Sequence, residues 1–299
     1  MVPMNDFVII LFYKYVHIEN PDAEMKWHRE ICEKLALKGR VIVSEEGINA
    51  TLEGTKENLD AYIEKLKEKE IYHGIDFKFS VGVGDAFPKL KVKNRKEIVT
   101  SGFGDNIDPT KDTGTYLDPE EFHKWYEQGE DFVVIDMRNA NEIVSGKFDK
   151  TIDPGLTHFR DLNHKIDDLM IHKDKKIVTV CTGGVRCEKA SAFLKAHGFN
   201  DVYQLHGGMH VYMEKFPEGF FKGVLYVFDN RHTMTTADAP EIISVCHGCS
   251  NPSVRYQDCY NAFCGMHLIV CEDCADKEIL CKSDCPQINT KESKIEEQK

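Results

Sequence analysis

No apolar run in this 299-residue chain approaches the ~20 residues that a membrane span needs, so no membrane partner is expected. The N-terminus, MVPMNDFVIILFYKYVHI, lacks a basic leader and a small-residue cleavage site, which argues against secretion and for a cytoplasmic setting. Positive charge is in short supply: 38 Lys+Arg face 50 Asp+Glu, a net of −12, which argues against a general nucleic-acid coat protein. There is no flavin or nicotinamide fingerprint, and no pair of His with a carboxylate at a spacing that would hold iron.

Cysteine, by contrast, is plentiful. Of the eleven, Cys32 stands alone and reads as a core residue of the first helix. Cys181 and Cys187 form a close pair. The other eight, Cys246, Cys249, Cys259, Cys264, Cys271, Cys274, Cys281 and Cys285, crowd into 40 residues. In a reducing compartment such a cluster favours metal over disulfides. Cys246-x2-Cys249 and Cys271-x2-Cys274 have knuckle spacing, with 21 residues between the pairs. Two interleaved four-thiolate sites, or one site with spare cysteines, fit the pattern, with His247 or His267 able to substitute. Structural zinc leads, iron–sulfur is the second metal, and disulfides or free thiols remain open. A module this polar has little core, so a metal staple is physically sensible.

Charge is uneven as well. Residues 1–100 carry a net of −1, residues 101–230 of −7 and residues 231–299 of −4. The nearly neutral first third concentrates its cations in KLKVKNRK, where Lys89, Lys91, Lys93, Arg95 and Lys96 fill five of eight positions. Strand alternation would put Lys89, Lys91, Lys93 and Arg95 on one face. Such a face is either a lysine-guarded sheet edge or a phosphate-backbone contact for RNA.

With 41% hydrophobic and 29% charged residues, the chain is globular and long enough for two or three domains. The first, 1–100, reads β-α-β-β-α-β: a strand at 7–17, a helix at about 21–38 with Asn20 as N-cap, Pro21 in its first turn and Gly39 as C-cap, strands at 40–44 and 48–53, a helix at 56–70 turning Leu59, Ile63 and Leu66 inward, and a strand at 75–81. That order predicts a ferredoxin-like, acylphosphatase-like α+β domain. Acylphosphatase chemistry is not expected, because no Gly-rich phosphate loop with an Arg follows the first strand. Residues 101–117 read as a linker. Residues 118–228 read as a parallel α/β domain, with a helix at 118–128, strands at 131–138, 175–180 and 201–205, and a helix over about 186–196 closed by Gly198. Residues 229–286 form a small Cys-rich module, and 287–299 a charged, disordered tail.

The chemistry concentrates at CTGGVRC. A cysteine between a strand and a helix N-terminus faces oriented N–H groups and the positive end of the helix dipole, which favour thiolate. Gly183 and Gly184 let the loop of Cys181, Thr182, Gly183, Gly184 and Val185 curl into an anion cradle, and Arg186 adds a cation. The bland alternative is an inert Cys at a tight turn. Cys187, on the first helical turn, is either a second reactive thiol or a small core residue.

Cys181 to Arg186 spans six positions, and this loop resembles that of rhodanese-type sulfurtransferases; the related dual-specificity phosphatases use one residue more. Asp136-Met137-Arg138, Glu142 and Gly146 resemble the rhodanese "D-x-R … E … G" signature, with Asp136 and Arg138 read as scaffold. Gln204–Met209 resembles its "L-x-G-G" turn. With Glu45-Glu46-Gly47-Ile48-Asn49, the basic 89–96 stretch and the Cys-rich end, the chain over about 5–285 closely resembles the bacterial rhodanese-domain tRNA uridine hydroxylases. That resemblance implies oxygen-dependent formation of 5-hydroxyuridine at the tRNA wobble position, with O2 as co-substrate and Cys181 as the essential cysteine, carried as a persulfide. Two other functions stay open on the residues: a thiosulfate or persulfide sulfurtransferase, and a non-catalytic RNA-binding module.

Overall fold

The computed structural model describes residues 6–104, 106–283 and 285; the tail expected at 287–299 lies outside them. The N-terminal domain runs β1 (Phe7–Tyr15), α1 (Pro21–Lys34), β2 (Lys38–Ser44), β3 (Gly47–Thr55), α2 (Lys56–Lys67), β4 (Lys78–Val81) and β5 (Leu90–Asn94). Its sheet has the order β4-β1-β3-β2-β5, the expected ferredoxin-like pattern extended by one edge strand. Pleating sorts the residues cleanly. Ile10, Phe12, Val41, Val43, Ile48, Ala50, Leu52 and Val92 pack on the helices, together with Cys32, Leu59 and Leu66. The alternate positions, among them Leu11, Tyr13, Tyr15, Arg40, Ile42, Asn49, Thr51, Lys91 and Lys93, fall on the face that the helices leave open.

Asn20 caps α1 as expected, accepting from the Ala23 N–H at 3.0 Å. The helix stops at Lys34, however, and Gly39 is not its cap. The chain reverses through Ala36 at φ 51°, and Gly39 lies inside β2, paired with Leu52. There it has φ +134°, and a Cβ would sit 2.2 Å from the Thr51 carbonyl oxygen. Sheet pairing overrides the helical propensity of the preceding residues.

The second domain runs β6 (Thr115–Leu117), α3 (Pro119–Gln128), β7 (Phe132–Asp136), α4 (Ala140–Ile143), β8 (Gly146–Phe148), β9 (Thr151–Ile152), α5 (Ile166–Leu169), β10 (Lys176–Val180), α6 (Val185–Ala196), β11 (Asp201–Leu205) and α7 (Gly208–Lys215). Its sheet is β6-β11-β10-β7-β9, and every pairing in it is parallel. β6 falls in the stretch read as a linker: Thr115–Leu117 pair with Tyr203–Leu205. Gly198, at φ 86°, closes α6 as expected. Short antiparallel pairs follow: β12 (Phe221–Gly223) on β8, β13 (Leu225–Tyr226) on β14 (Thr233–Met234), and β15 (Tyr256–Asp258) on β16 (His267–Ile269).

Replacing Gly39 by Ala tests this register. The positive φ and the Thr51 contact should together cost about 1–3 kcal/mol, read as a lower urea midpoint at unchanged m-value.

Candidate active site

The loop after β10 lies at the carboxyl ends of the parallel strands, where open α/β sheets place their ligands. Its carbonyls are fixed from below: Cys181 O accepts from Met209 N at 2.9 Å and Thr182 O from His210 N at 3.0 Å. This contact explains Gly208 at the start of α7. A Cβ on Gly208 would lie 2.7–2.8 Å from Cys181 O, Thr182 O and Gly184 N.

Cys181 is buried, and its Sγ accepts the Gly184 N–H at 3.2 Å. Burial pushes the thiol up, but it is outweighed by a hydrogen bond from the Cys187 thiol, the Arg186 charge and the amides of Arg186 and Gly184, bringing Cys181 down to about 6. Cys187 moves the other way, raised by its own burial and by the neighbouring Cys181. At neutral pH the pair is a thiolate with a thiol donor beside it.

The loop's electrostatics rest on a chain of braces. Arg138 is fully buried and grips Asp136 with Nε at 3.0 and 3.1 Å and Nη2 at 2.7 Å. Its other donors bind Glu142 O at 3.2 Å and Gly146 O at 2.6 Å. Glu142 in turn holds Arg186 through two 2.8 Å bonds. The four signature positions therefore form one network that ends beside Cys181. This alters the sequence picture of Arg186 in one respect. Its guanidinium is committed to a carboxylate, so it acts on the thiolate as an oriented, half-neutralised charge.

The sequence did not disclose the roof. The open face of the N-terminal sheet packs onto this loop. A Cβ at Gly183 would meet Leu11 Cδ2 at 2.6 Å, and one at Gly184, where φ is +103°, would meet the Tyr13 hydroxyl at 2.7 Å. Tyr15 donates to Val185 O at 3.0 Å and Tyr13 to Glu188 at 3.1 Å. Lys189 is buried and bridges Glu46 and Glu97, at 2.7 Å each. The two most specific sequence matches, around Glu46 and around Cys181, thus touch one another. The signal available beforehand was the alternation of Leu11, Tyr13 and Tyr15 on a strand face that such a fold leaves uncovered.

Between roof and loop lies a cavity of about 570 Å³, with Cys181, Thr182 and Gly183 on one side and Asn49, Thr51 and Arg95 on the other. Of the basic stretch, Arg95 lines this cavity. Lys91 and Lys93 pair with Arg40 and Ile42 and share their face of the sheet. Lys89 and Lys96 flank the strand, exposed. β5 is an edge strand, so the basic stretch runs along an edge of the sheet.

The eight C-terminal cysteines separate into two interleaved sets, Cys246/Cys249/Cys271/Cys274 and Cys259/Cys264/Cys281/Cys285, the sulfurs of each lying within 4.8 Å of one another. Individual gaps are 3.5 Å (Cys249–Cys271), 3.9 Å (Cys259–Cys285) and 3.5 Å (Cys264–Cys281). A tetrahedral site with Zn–S near ~2.3 Å has edges of about 3.8 Å, so both sets can hold a metal of that size. Neither His is part of them: His267 bonds Tyr226 at 2.9 Å and Asp258 at 3.0 Å, and the all-thiol sets leave His247 outside.

Residues 7–98 match the UPF0176 acylphosphatase like domain, 118–215 the rhodanese-like domain and 222–286 the rhodanese C-terminal region. The tRNA uridine(34) hydroxylase of Cytophaga hutchinsonii is 42% identical over 287 residues, covering 94% of this chain and 90% of that one. The enzyme of the same name from Staphylococcus haemolyticus is 41% identical over 286 residues, covering 94% and 89%. A solved rhodanese-like domain from Anabaena sp. is 20% identical over 44% of this chain and 93% of its own, with a TM-score of 0.32.

Alkylation of Cys181 by a small haloacetamide should follow the thiolate fraction, with a midpoint near the depressed pKa of about 6, falling as pH drops through it. Arg186→Met and Cys187→Ala each remove a stabiliser of the thiolate, so both midpoints should rise, by about one unit per 1.4 kcal/mol lost. The measurement is rate against pH with mass-spectrometric assignment of the adduct.

Proposed function

The chain belongs to the tRNA uridine(34) hydroxylase family, and within that activity we propose that Cys181 is the reacting group that converts the wobble uridine to 5-hydroxyuridine. The observation that carries this is the position of Cys181, its Sγ accepting the Gly184 N–H at the start of α6, on the wall of a nucleotide-sized cavity. The thiolate first takes a sulfur from a persulfide-class donor: a new S–S bond forms at Cys181 Sγ, the donor's own S–S bond breaks, and the donor leaves as a thiolate. The loop amides of residues 182–186 then face the terminal sulfur, and the Arg186–Glu142 pair keeps Arg186 aimed at it. Cys187 donates its proton toward Cys181 and so favours the charged form. O2 is the co-substrate: one oxygen atom enters uridine C5 and the other leaves as water, with two electrons and two protons drawn from a reductant outside the chain; tRNA is the partner, met first by Lys89, Lys91, Lys93, Arg95 and Lys96. Asp136 and Arg138 hold the loop's shape and touch no substrate. The cytoplasm, where tRNA is decoded, is the proposed setting.

A thiosulfate sulfurtransferase is the second reading, favoured by the six-position loop alone. One zinc in each four-thiol set is the proposed metal content; it would tie together a module whose buried residues include Cys246, Cys259, Cys274 and Cys285, and it would supply structure and no chemistry to the distant Cys181.

Two measurements test these statements. Nucleoside mass spectrometry of tRNA from a deletion strain should show loss of 5-hydroxyuridine-derived nucleosides, restored by the wild-type gene and not by Cys181→Ser. An unchanged profile with thiocyanate formation from thiosulfate and cyanide would favour the sulfurtransferase. Metal analysis of the purified chain should find two zinc ions per chain, one for each thiol set, and Cys249→Ser should lower this toward one.

A further inference from the structure

The chain has eight arginines. Five have committed guanidinium groups: Arg29 on Val92 O, Arg138 on Asp136, Arg186 on Glu142, Arg231 on Asp229 and Arg255 on Gln257. The other three, Arg40, Arg95 and Arg160, make no side-chain hydrogen bond or ion pair with any described residue. All three line the cavity over Cys181. They arrive from different elements: Arg40 from β2, Arg95 from just beyond β5, and Arg160 from the second domain, after β9.

Chance does not readily give this distribution in a chain with 50 carboxylates and a net of −12. Glu97, the acid that lines the cavity, is bound to Lys189, and Glu142 behind the loop is bound to Arg186. The anion that these three cations fit is therefore external. Phe228 lies at the same cavity with 45% of its surface exposed. Arg186 stands 5.7 Å from its ring centroid. An exposed ring at a cavity wall offers a stacking surface for a base. A volume of about 570 Å³ falls within the ~300–1,000 Å³ of single-ligand pockets. It admits one base and excludes a duplex, so an RNA must present an unpaired, extruded nucleotide here.

We propose that this cavity is a one-nucleotide chamber: the base of a single-stranded nucleotide enters beside Cys181 and stacks on Phe228, while Arg40, Arg95 and Arg160 hold the phosphates on either side of it. The inference rests on the tRNA reading above and assigns the residues that place the target. Both domains supply cations, so the chamber exists only while the N-terminal sheet is docked on the Cys181 loop. The three arginines are positioning residues, acting on the backbone and not on the reacting atoms.

The test is equilibrium binding of a synthetic anticodon stem-loop RNA, with uridine at the wobble position, to the full chain over a range of salt. Arg40→Gln and Arg160→Gln should each weaken binding on the order of tenfold. Each should also reduce the slope of log K against log salt by about 0.7, the loss of one single-strand phosphate contact. Lys124→Gln, an exposed cation on α3 remote from the cavity, should change neither. Phe228→Ala should weaken binding without changing the salt slope, and Phe228→Tyr should restore it. Wild-type affinity and slope in both arginine variants would overturn the proposal. So would equal binding of a blunt RNA duplex, or competition by free uridine monophosphate at the affinity of the stem-loop. These outcomes are separable from failure of the hydroxylase reading. That reading is lost if wild-type protein leaves tRNA without 5-hydroxyuridine, whereas the chamber is judged on binding alone.

Discussion

One buried ammonium holds the two halves of the site together. Lys189 rises from the second turn of α6, loses its water, and is met by Glu46 from the β2–β3 turn and by Glu97 from the segment leaving β5. A buried lysine left with neither partner would be severely destabilising. The N-terminal sheet is therefore fixed against the α6 helix at one defined position. Ser101 adds its hydroxyl to Glu97 at 2.5 Å; burial alone would raise that carboxyl, and the Lys189 and Ser101 bonds hold it below its ordinary value. From this contact the rest follows geometrically. Tyr13 and Tyr15 reach the loop backbone, Leu11 closes over Gly183, and the space left between sheet and loop becomes the cavity.

The loop glycines take a different meaning in this setting. Curling the backbone around an anion needs the positive φ of Gly184, but Gly183 is required for the approach of another domain. Stability and reactivity share these residues. Any side chain at 183 would first push away Leu11, and with it the sheet face that carries Arg40 and Asn49. The thiolate, by contrast, is set from beneath, by the Asp136–Arg138–Glu142–Arg186 chain, whose members are all buried. Buried ion pairs contribute modestly to net stability, but they specify orientation because any other arrangement strands a charge.

Much of this was legible in the sequence, and what was missed has a common cause. Helix and strand periods in β1, α2, β7, β10 and α6 pointed to the two architectures, and knuckle spacing picked out one thiol set, Cys246/Cys249/Cys271/Cys274; the looser spacing of the other four cysteines left one site or two open. Those signals are local. Gly39 was misread because LALKG looks like a helix end until Thr51, twelve residues later, demands a Cβ-free neighbour. β6 was taken for linker because three residues carry no period, and only its pairing with β11 makes it a strand. Arg186 read only as an added cation because its partner, Glu142, is 44 residues away. The roof escaped for the same reason: the meeting of Glu46 with Lys189 is a tertiary fact with no pattern of its own. Tyr13 and Tyr15 read as part of a buried strand, and the structure shows their face to be where the two domains meet.

The distribution of charge, puzzling in a protein that handles RNA, follows from the same architecture. A −12 chain repels a polyanion at long range, so it has to concentrate cations where contact is made. The nearly neutral first hundred residues place Arg40, Lys91, Lys93 and Arg95 on one face of a twisted sheet, and the acidic second domain contributes a single free arginine, Arg160, to the opposite wall. Several acids are spent inside the fold, on Arg138, Arg186, Lys189 and Arg231. In the proposed chamber, net charge would disfavour indiscriminate binding of nucleic acid, and the local patch would select an RNA that can extend a flexible, single-stranded segment past the acidic body to Cys181. Specificity would thus begin with electrostatic exclusion, before any base edge is read.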